Sequence, residues 1–180
     1  MKSNNLVVVK HNSVVEAGYQ LSIYESRILL TCIAKINSMK PLTVEDRFEL
    51  SVNDIADLVT LADKNIYQAL KTAIDKLAER WVYIDTPTKK VKKLKTRWVS
   101  GIRYMNQEGV IQLTFAGDIL PYLSQLSREF TQYRLENVLK FKSTYSIRIY
   151  ELLCKWSGDE KTLTLEWLRD HFQLNDKYLN

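Results

Sequence analysis

The stretch that most constrains this chain runs from Ser51 to Ile84, SVNDIADLVTLADKNIYQALKTAIDKLAERWVYI. Ser51 with Asp54 three residues on forms a capping-box pattern, and Val52, Ile55, Leu58 and Val59 follow at helical spacing. Thr60-Leu61-Ala62 turns the chain. Asp63 suits the positive end of a second helix, predicted to run to Trp81 with a buried stripe of Ile66, Leu70, Ile74, Leu77 and Trp81. Its opposite face carries Lys64, Asn65, Gln68, Lys71, Thr72, Lys76 and Arg80. Helix, tight turn, and a second helix with a basic, amide-rich outer surface is the sequence shape of a helix-turn-helix. Two amphipathic helices joined by a turn also occur in folds that never touch DNA, so the flanking sequence decides.

Downstream, Val82-Tyr83-Ile84 is β-rich and Thr86-Pro87-Thr88 breaks it. KKVKKLKTR follows, Lys89 to Arg97, with six basic residues and no acid, and reads as a basic loop. Trp98 to Met105 and Val110 to Phe115 are two strand-like runs around Asn106-Gln107-Glu108-Gly109, a hairpin signal. Alternating Trp98, Ile102 and Tyr104 suit edge-to-edge pairing of that hairpin across a two-fold axis. A hairpin behind a helix-turn-helix defines a winged helix, and a lysine-rich wing suits DNA phosphates, where each neutralised charge releases counterions. By itself such a run is equally a solvated loop; its position behind the two helices favours DNA.

Composition sets the bounds. With 46% hydrophobic residues the chain can bury a real core, and a formal charge of +5 favours an acidic partner. The two cysteines, Cys32 and Cys154, sit far apart in apolar helical patterns, as buried thiols and not as a disulfide framework or metal site. No apolar run reaches membrane-spanning length and the N-terminal run is too short for a signal peptide, so the chain reads as soluble and cytoplasmic. Enzyme chemistry finds no footing. A nickase needs a histidine-rich metal site near a nucleophilic tyrosine, but His11 and His171 stand alone, and there is no phosphate-binding G-x-x-x-x-G-K-[ST] loop. No cofactor is expected.

Elsewhere, Leu6 to Val9 reads as an edge strand or docking arm, Asn12 or Ser13 as the cap of a brief helix ended by Gly18, and Ser22 with Glu25 as the capping box of a strong helix to Asn37. Phe48 to Leu50 reads as a short strand, and Phe115 to Leu126, with Pro121, as a short broken helix.

The chain also echoes itself. Ser22, Tyr24, Arg27 and Ile28 recur as Ser143, Tyr145, Arg148 and Ile149, 121 residues later. Leu50, Asp57, Leu61, Asp63 and Lys64 recur as Leu163, Asp170, Leu174, Asp176 and Lys177, with Thr164 in the capping place of Ser51. The two echoes keep their order, which implies tandem duplication of one winged-helix unit. Residues 1–134 are then the first domain and 135–180 the start of a second, which stops before its own recognition helix and wing. Arg27 and Arg148, at equivalent places, are expected to be structural and to pair within each unit.

VVKHNSVVEAGYQLSIYESRILL near the start and FKSTYSIRIYELLCKWS near the end resemble the initiator proteins of theta-replicating, iteron-containing plasmids; the second resembles that family's S-x-Y-S-x-R-Y/L-Y-E-L-L signature. The resemblance covers nearly the whole chain. It implies two winged-helix domains in tandem, binding to repeated sites at a plasmid origin, origin melting, and recruitment of the host initiator and helicase. It also implies monomers that activate replication and dimers, joined through the first domain, that repress it. The resemblance implies that the second domain contributes much of the base reading while the first contacts mainly backbone and adjoining groove.

The resulting expectation is an α+β winged helix-turn-helix, duplicated, that binds double-stranded origin DNA and forms a homodimer. The predicted DNA contacts are Lys64, Asn65, Gln68, Lys71 and Thr72 on the second helix and Lys89, Lys90, Lys92, Lys93, Lys95 and Arg97 in the wing. Asn and Gln suit adenine edges, and Lys suits phosphate or guanine. The competing readings are a stand-alone transcriptional repressor and a dimerisation module without initiator activity.

Overall fold

The computed structural model describes residues 6–51, 54, 66–86, 90–105, 110–156, 158 and 160–174, apart from the side chains at positions 66, 67 and 70. Asp54 aside, the first helix of the helix-turn-helix lies outside those residues, as do its turn, Asp63, Lys64, Asn65 and Lys89.

β1 (Val7–His11) leads into α1 (Asn12–Val15), capped by the ring of His11, which accepts from the Ser13 amide at 3.1 Å. α2 (Ile23–Ala34) opens on the expected capping box: Ser22 Oγ accepts from the Glu25 amide, and Glu25 accepts from the Ser22 amide. Its sequence is apolar on almost every side, as befits a helix surrounded by protein. Ile28, Leu29, Leu30, Cys32 and Ile33 are all buried, and α2 packs on β1, on the next strand β2 (Phe48–Ser51) and on α3 (Ile66–Ala78). Ser51 and Asp54 exchange amide hydrogen bonds at 3.0 Å each, the second expected capping box.

After α3 the chain departs from the expected course. The helix ends at Ala78, and Trp81 begins a strand, β3 (Trp81–Asp85), instead of closing the helical stripe. Trp81 lies four residues beyond Leu77 and so satisfies helical spacing. It equally starts the alternating run Trp81-Val82-Tyr83-Ile84, in which Val82 and Ile84 are buried and Trp81 is exposed. The second correction concerns the lysine run. It is not simply a loop: Lys93–Arg97 is strand β4, paired antiparallel with β3 so that Trp81 faces Arg97, Tyr83 faces Lys95 and Asp85 faces Lys93. The run resembles a solvated loop because its charges mask the period of two, in which Thr96 is buried and Leu94 half-buried between outward cations.

Trp98, wholly buried edge-on to the Tyr19 ring, then leads into β5 (Val99–Tyr104) and β6 (Val110–Phe115). These form a three-stranded sheet in the order β2-β6-β5. A 3-10 turn at Gly117–Tyr122 carries Pro121. β7 (Phe130–Arg134) pairs antiparallel with β1, and α4 (Leu135–Leu139), α5 (Thr144–Lys155) and α6 (Leu165–Phe172) complete the described chain.

α2 and α5 have the same length, begin on Ser22 and Ser143, and stand 121 residues apart at both ends. Each follows a strand and a short helix: β1 and α1 for one, β7 and α4 for the other. In the β1–β7 pairing Lys10 sits opposite Thr131, its own counterpart at that spacing. The two arginines reach across between the two segments, and Arg148 also bonds His171 on its own side. Arg27 donates to the carbonyls of Leu139 and Phe141 at 3.0 Å each, whereas Arg148 donates to Tyr19 O at 2.7 Å and to Ala17 O. The carbonyls ahead of each long helix have no intrahelical partner and lie against the other unit, so the guanidinium that satisfies them comes from there.

Candidate nucleic-acid interface

The outward positions of α3 divide into two stripes. Lys71 and Asp75 face β5: the Lys71 ammonium lies 5.5 Å from the Tyr104 ring centre, and the Tyr104 hydroxyl donates to Asp75. Gln68, Thr72 and Lys76 border a groove against the start of α2, together with Ser22, Tyr24, Glu25 and Arg80. Arg80 clamps the two elements, donating to both oxygens of the buried Glu25 carboxylate at 2.9 and 3.0 Å. That pairing raises the Arg80 pKa above its ordinary value. Of the predicted helix contacts, Gln68, Lys71 and Thr72 are therefore exposed and on one element.

The β3–β4 hairpin stands beside the carboxyl end of α3. Lys90 and Lys92 lie exposed ahead of β4, and Lys93 and Lys95 point outward from it. Arg97 is half-buried; it donates to the carbonyl of Ala78 at 3.1 Å, which ties the hairpin to the last turn of α3. The outer face alternates cation and ring. The Arg97 guanidinium lies 4.1 Å and the Lys95 ammonium 4.5 Å from the Trp81 ring centre. The Tyr83 ring lies 5.5 Å from Lys95 and 5.9 Å from Lys93. Sequence pattern reveals the cations and hides the Trp81 ring, because helical spacing draws Trp81 into the preceding helix; Tyr83 is read as a strand residue but not as a partner of the lysines. The signal that places both rings is the register itself: two aromatic residues two apart, opposite three cations two apart, across Thr86–Lys92.

A second polar cluster sits between the units. Lys10 and Glu151 form a buried ion pair at 2.6 Å, and the Tyr133 hydroxyl donates to the same carboxylate. Burial alone would lower the Lys10 pKa; the adjoining carboxylate outweighs it, and the value is raised. Burial and the Glu151 charge push Tyr133 well up. Nearby, Arg148 stacks 3.8 Å from the Tyr19 ring centre and donates to the His171 carbonyl at 2.6 Å. Burial and the Arg148 charge bring the His171 pKa down to about 3. These groups are buried and joined by the bonds just named, so they hold elements together, although Arg148 Nε, Glu151 Oε2 and His171 Nε2 are left without a hydrogen-bond partner. Cys32 is likewise enclosed, its thiol pushed up to about 12 by burial, while Cys154 is half-buried. Among the described residues no cluster of three or more His, Cys, Asp or Glu is placed to hold a metal ion. No helix among them is long and apolar enough to cross a membrane.

A mixed helix–strand body, with an amphipathic helix bearing amide and basic groups and a basic hairpin beside it, defines a protein of the winged-helix class. The chain belongs to the family described as initiator replication protein, WH1, whose model matches residues 7–154. It is similar to a replication initiation protein of Escherichia coli, 32% identical over 161 residues that cover 88% of this chain and 50% of the relative. It is also similar to the PI protein of Escherichia coli, 26% identical over 174 residues, 86% of this chain and 57% of the relative. The chain thus spans about half the length of these relatives. A crystal structure of Pi initiator protein in complex with iteron DNA shares the fold, with a TM-score of 0.73 at 21% identity, over 93% of this chain and 73% of that one.

Proposed function

We propose that this chain is the part of a plasmid replication initiator that grips double-stranded DNA at origin repeats, working in the cytoplasm without catalysing a reaction. Gln68, Lys71 and Thr72 of α3, with Lys64 and Asn65 just ahead of them in sequence, lie in or against a groove. Lys89, Lys90, Lys92, Lys93 and Lys95, with Arg97, follow the phosphates. The observation that carries this reading is the line of outward cations on β4, fixed to the end of α3 by Arg97. Replacing Lys92, Lys93 and Lys95 by alanine should weaken binding to every duplex alike. It should also flatten the dependence of log K on log salt, by about 0.9 for each phosphate no longer neutralised. Titrations on origin-repeat and scrambled duplexes across a salt series check this; an unchanged slope removes the hairpin from the DNA.

Residues 1–134 constitute the first winged helix in this proposal and 135–180 the opening of a second, produced by duplication. The equal lengths and Ser caps of α2 and α5 and the reciprocal reach of Arg27 and Arg148 support it. Host initiator and helicase are the further partners of the proposed initiator. A homodimer is supported by β5, which ends the three-stranded sheet and has Tyr104 and the following residue, Met105, exposed. Sedimentation over a concentration series should show a dimer that Ile102→Lys abolishes; a strict monomer at the highest concentration sinks this part of the reading.

A further inference from the structure

We infer that Trp81 and Tyr83 are positioning residues for DNA binding: their rings hold Lys93, Lys95 and Arg97 in one line along the outer face of the β3–β4 hairpin. The inference rests on the proposed contact between this hairpin and the DNA backbone. On β3 the inward positions, Val82 and Ile84, are wholly buried and supply the hairpin's share of the core. Trp81, on the other face, is 39% exposed, so its size is not explained by filling the interior. What the ring touches is charge: Arg97 at 4.1 Å and Lys95 at 4.5 Å from its centre. Tyr83 repeats the arrangement one rung along, with Lys95 at 5.5 Å and Lys93 at 5.9 Å.

A free lysine side chain samples many rotamers, and ordering it on a phosphate opposes binding. An ammonium already resting on a ring face loses less freedom when DNA arrives. Strand geometry sets the line: residues two apart on β4 are separated by about 6.7 Å and point the same way. Arg97 closes the ladder at the helix end, since its guanidinium both lies over Trp81 and bonds the Ala78 carbonyl of α3. Rings and cations thus make a preordered positive edge, tied to the end of α3, whose ligand is the phosphate backbone of a duplex.

Positioning and charge have separable signatures. The salt slope counts phosphates neutralised, whereas preordering alters affinity at a fixed number of contacts. The test uses the whole chain and a scrambled-sequence duplex, titrated across a salt series, with Trp81→Leu/Tyr83→Leu, Trp81→Tyr and Lys93→Ala/Lys95→Ala compared. The double leucine variant keeps β-compatible apolar side chains, and circular dichroism confirms that the hairpin is retained. Its binding should weaken about five- to tenfold with the slope unchanged. Trp81→Tyr should stay within about twofold of the parent, because a ring remains. The lysine pair should lower both affinity and slope. Undiminished affinity in the double leucine variant, alongside a lysine pair that behaves as expected, overturns the positioning role and leaves the proposed DNA contact standing. A flattened slope in the double leucine variant also overturns it, because the rings would then govern how many phosphates are met. If the lysine pair changes neither affinity nor slope, the hairpin does not touch DNA, and the proposed contact and this inference fall together.

Discussion

His171 shows how much a single buried side chain can do. It is nearly inaccessible; its ring stacks on Trp167 with centres 4.8 Å apart, and Nδ1 lies 3.0 Å from an Arg148 nitrogen and 3.1 Å from the Glu16 carbonyl. Burial first, and the Arg148 cation second, hold its pKa at about 3 against an ordinary 6.5. The sign follows from proton counting. Between those values the unfolded chain binds a proton that the folded chain refuses, so stability falls as the pH drops below about 6.5. At pH 5 the loss amounts to on the order of 2 kcal/mol relative to pH 8. His11, also lowered by burial, shifts the same way. Urea unfolding of His171→Asn should give a lower stability at pH 8 but a visibly flatter fall towards pH 5. A variant as acid-sensitive as the parent would show that His171 is not the source. Local pattern shows only the stack, Trp167 being four residues away on the same helix; the carbonyl and the arginine come from positions 16 and 148.

At the scale of elements, legibility follows the range of the interaction. The starts of α2 and α6 and the box at Ser51 are readable because a cap and its partner lie within three residues: Ser22 with Glu25, Thr164 with Trp167, Ser51 with Asp54. Of the β3–β4 hairpin only Val82–Ile84 is, since Trp81 fits both a helical and an alternating period and a run of lysines resembles a loop. The candidate site is half legible for the same reason. Charge and exposure at Gln68, Lys71, Thr72, Lys90, Lys92, Lys93 and Lys95 follow from local pattern. The rings behind the lysines and the clamp of Arg80 on Glu25 depend on tertiary register. That clamp carries its own prediction. Glu25 caps α2 and also receives Arg80 from beyond α3, so one carboxylate fixes the angle between the two helices. Glu25→Ala removes a cap and a bidentate ion pair together and should cost about 2–4 kcal/mol. In denaturant titrations Ser22→Ala, which loses only the cap, should cost about 1 kcal/mol. Equal losses would mean that the Arg80 pair contributes nothing to stability.

Across the whole molecule, two helices of matching sequence occupy unlike surroundings. Tyr24, Ile28 and Cys32 of α2 correspond to Tyr145, Ile149 and Leu153 of α5. In α2, enclosed by β1, β2, α3 and α4, Ile28 and Cys32 are wholly buried. In α5, which rests on α1 and β7, the counterparts Tyr145, Ile149 and Leu153 are 44%, 45% and 62% exposed. The interior face of α5 is instead mixed: Ile147 and Leu152 are buried beside Arg148 and Glu151, which reach Ala17, Tyr19 and Lys10. Equivalent substitutions should therefore have unequal effects. Ile28→Ala empties a packed site and should destabilise the chain by about 2–5 kcal/mol. Ile149→Ala removes methyl groups already in contact with water and should change stability by less than about 0.5 kcal/mol. An additional Leu153→Lys should leave unfolding two-state while lowering self-association seen by light scattering, because it interrupts an apolar stripe. The measurement is denaturant unfolding of the three variants under one condition. A large loss on Ile149→Ala would mean that the outer face of α5 is covered in the 180-residue chain, contrary to its exposure. The contrast between Ile28 and Ile149 tests the surroundings of each helix independently of their shared sequence.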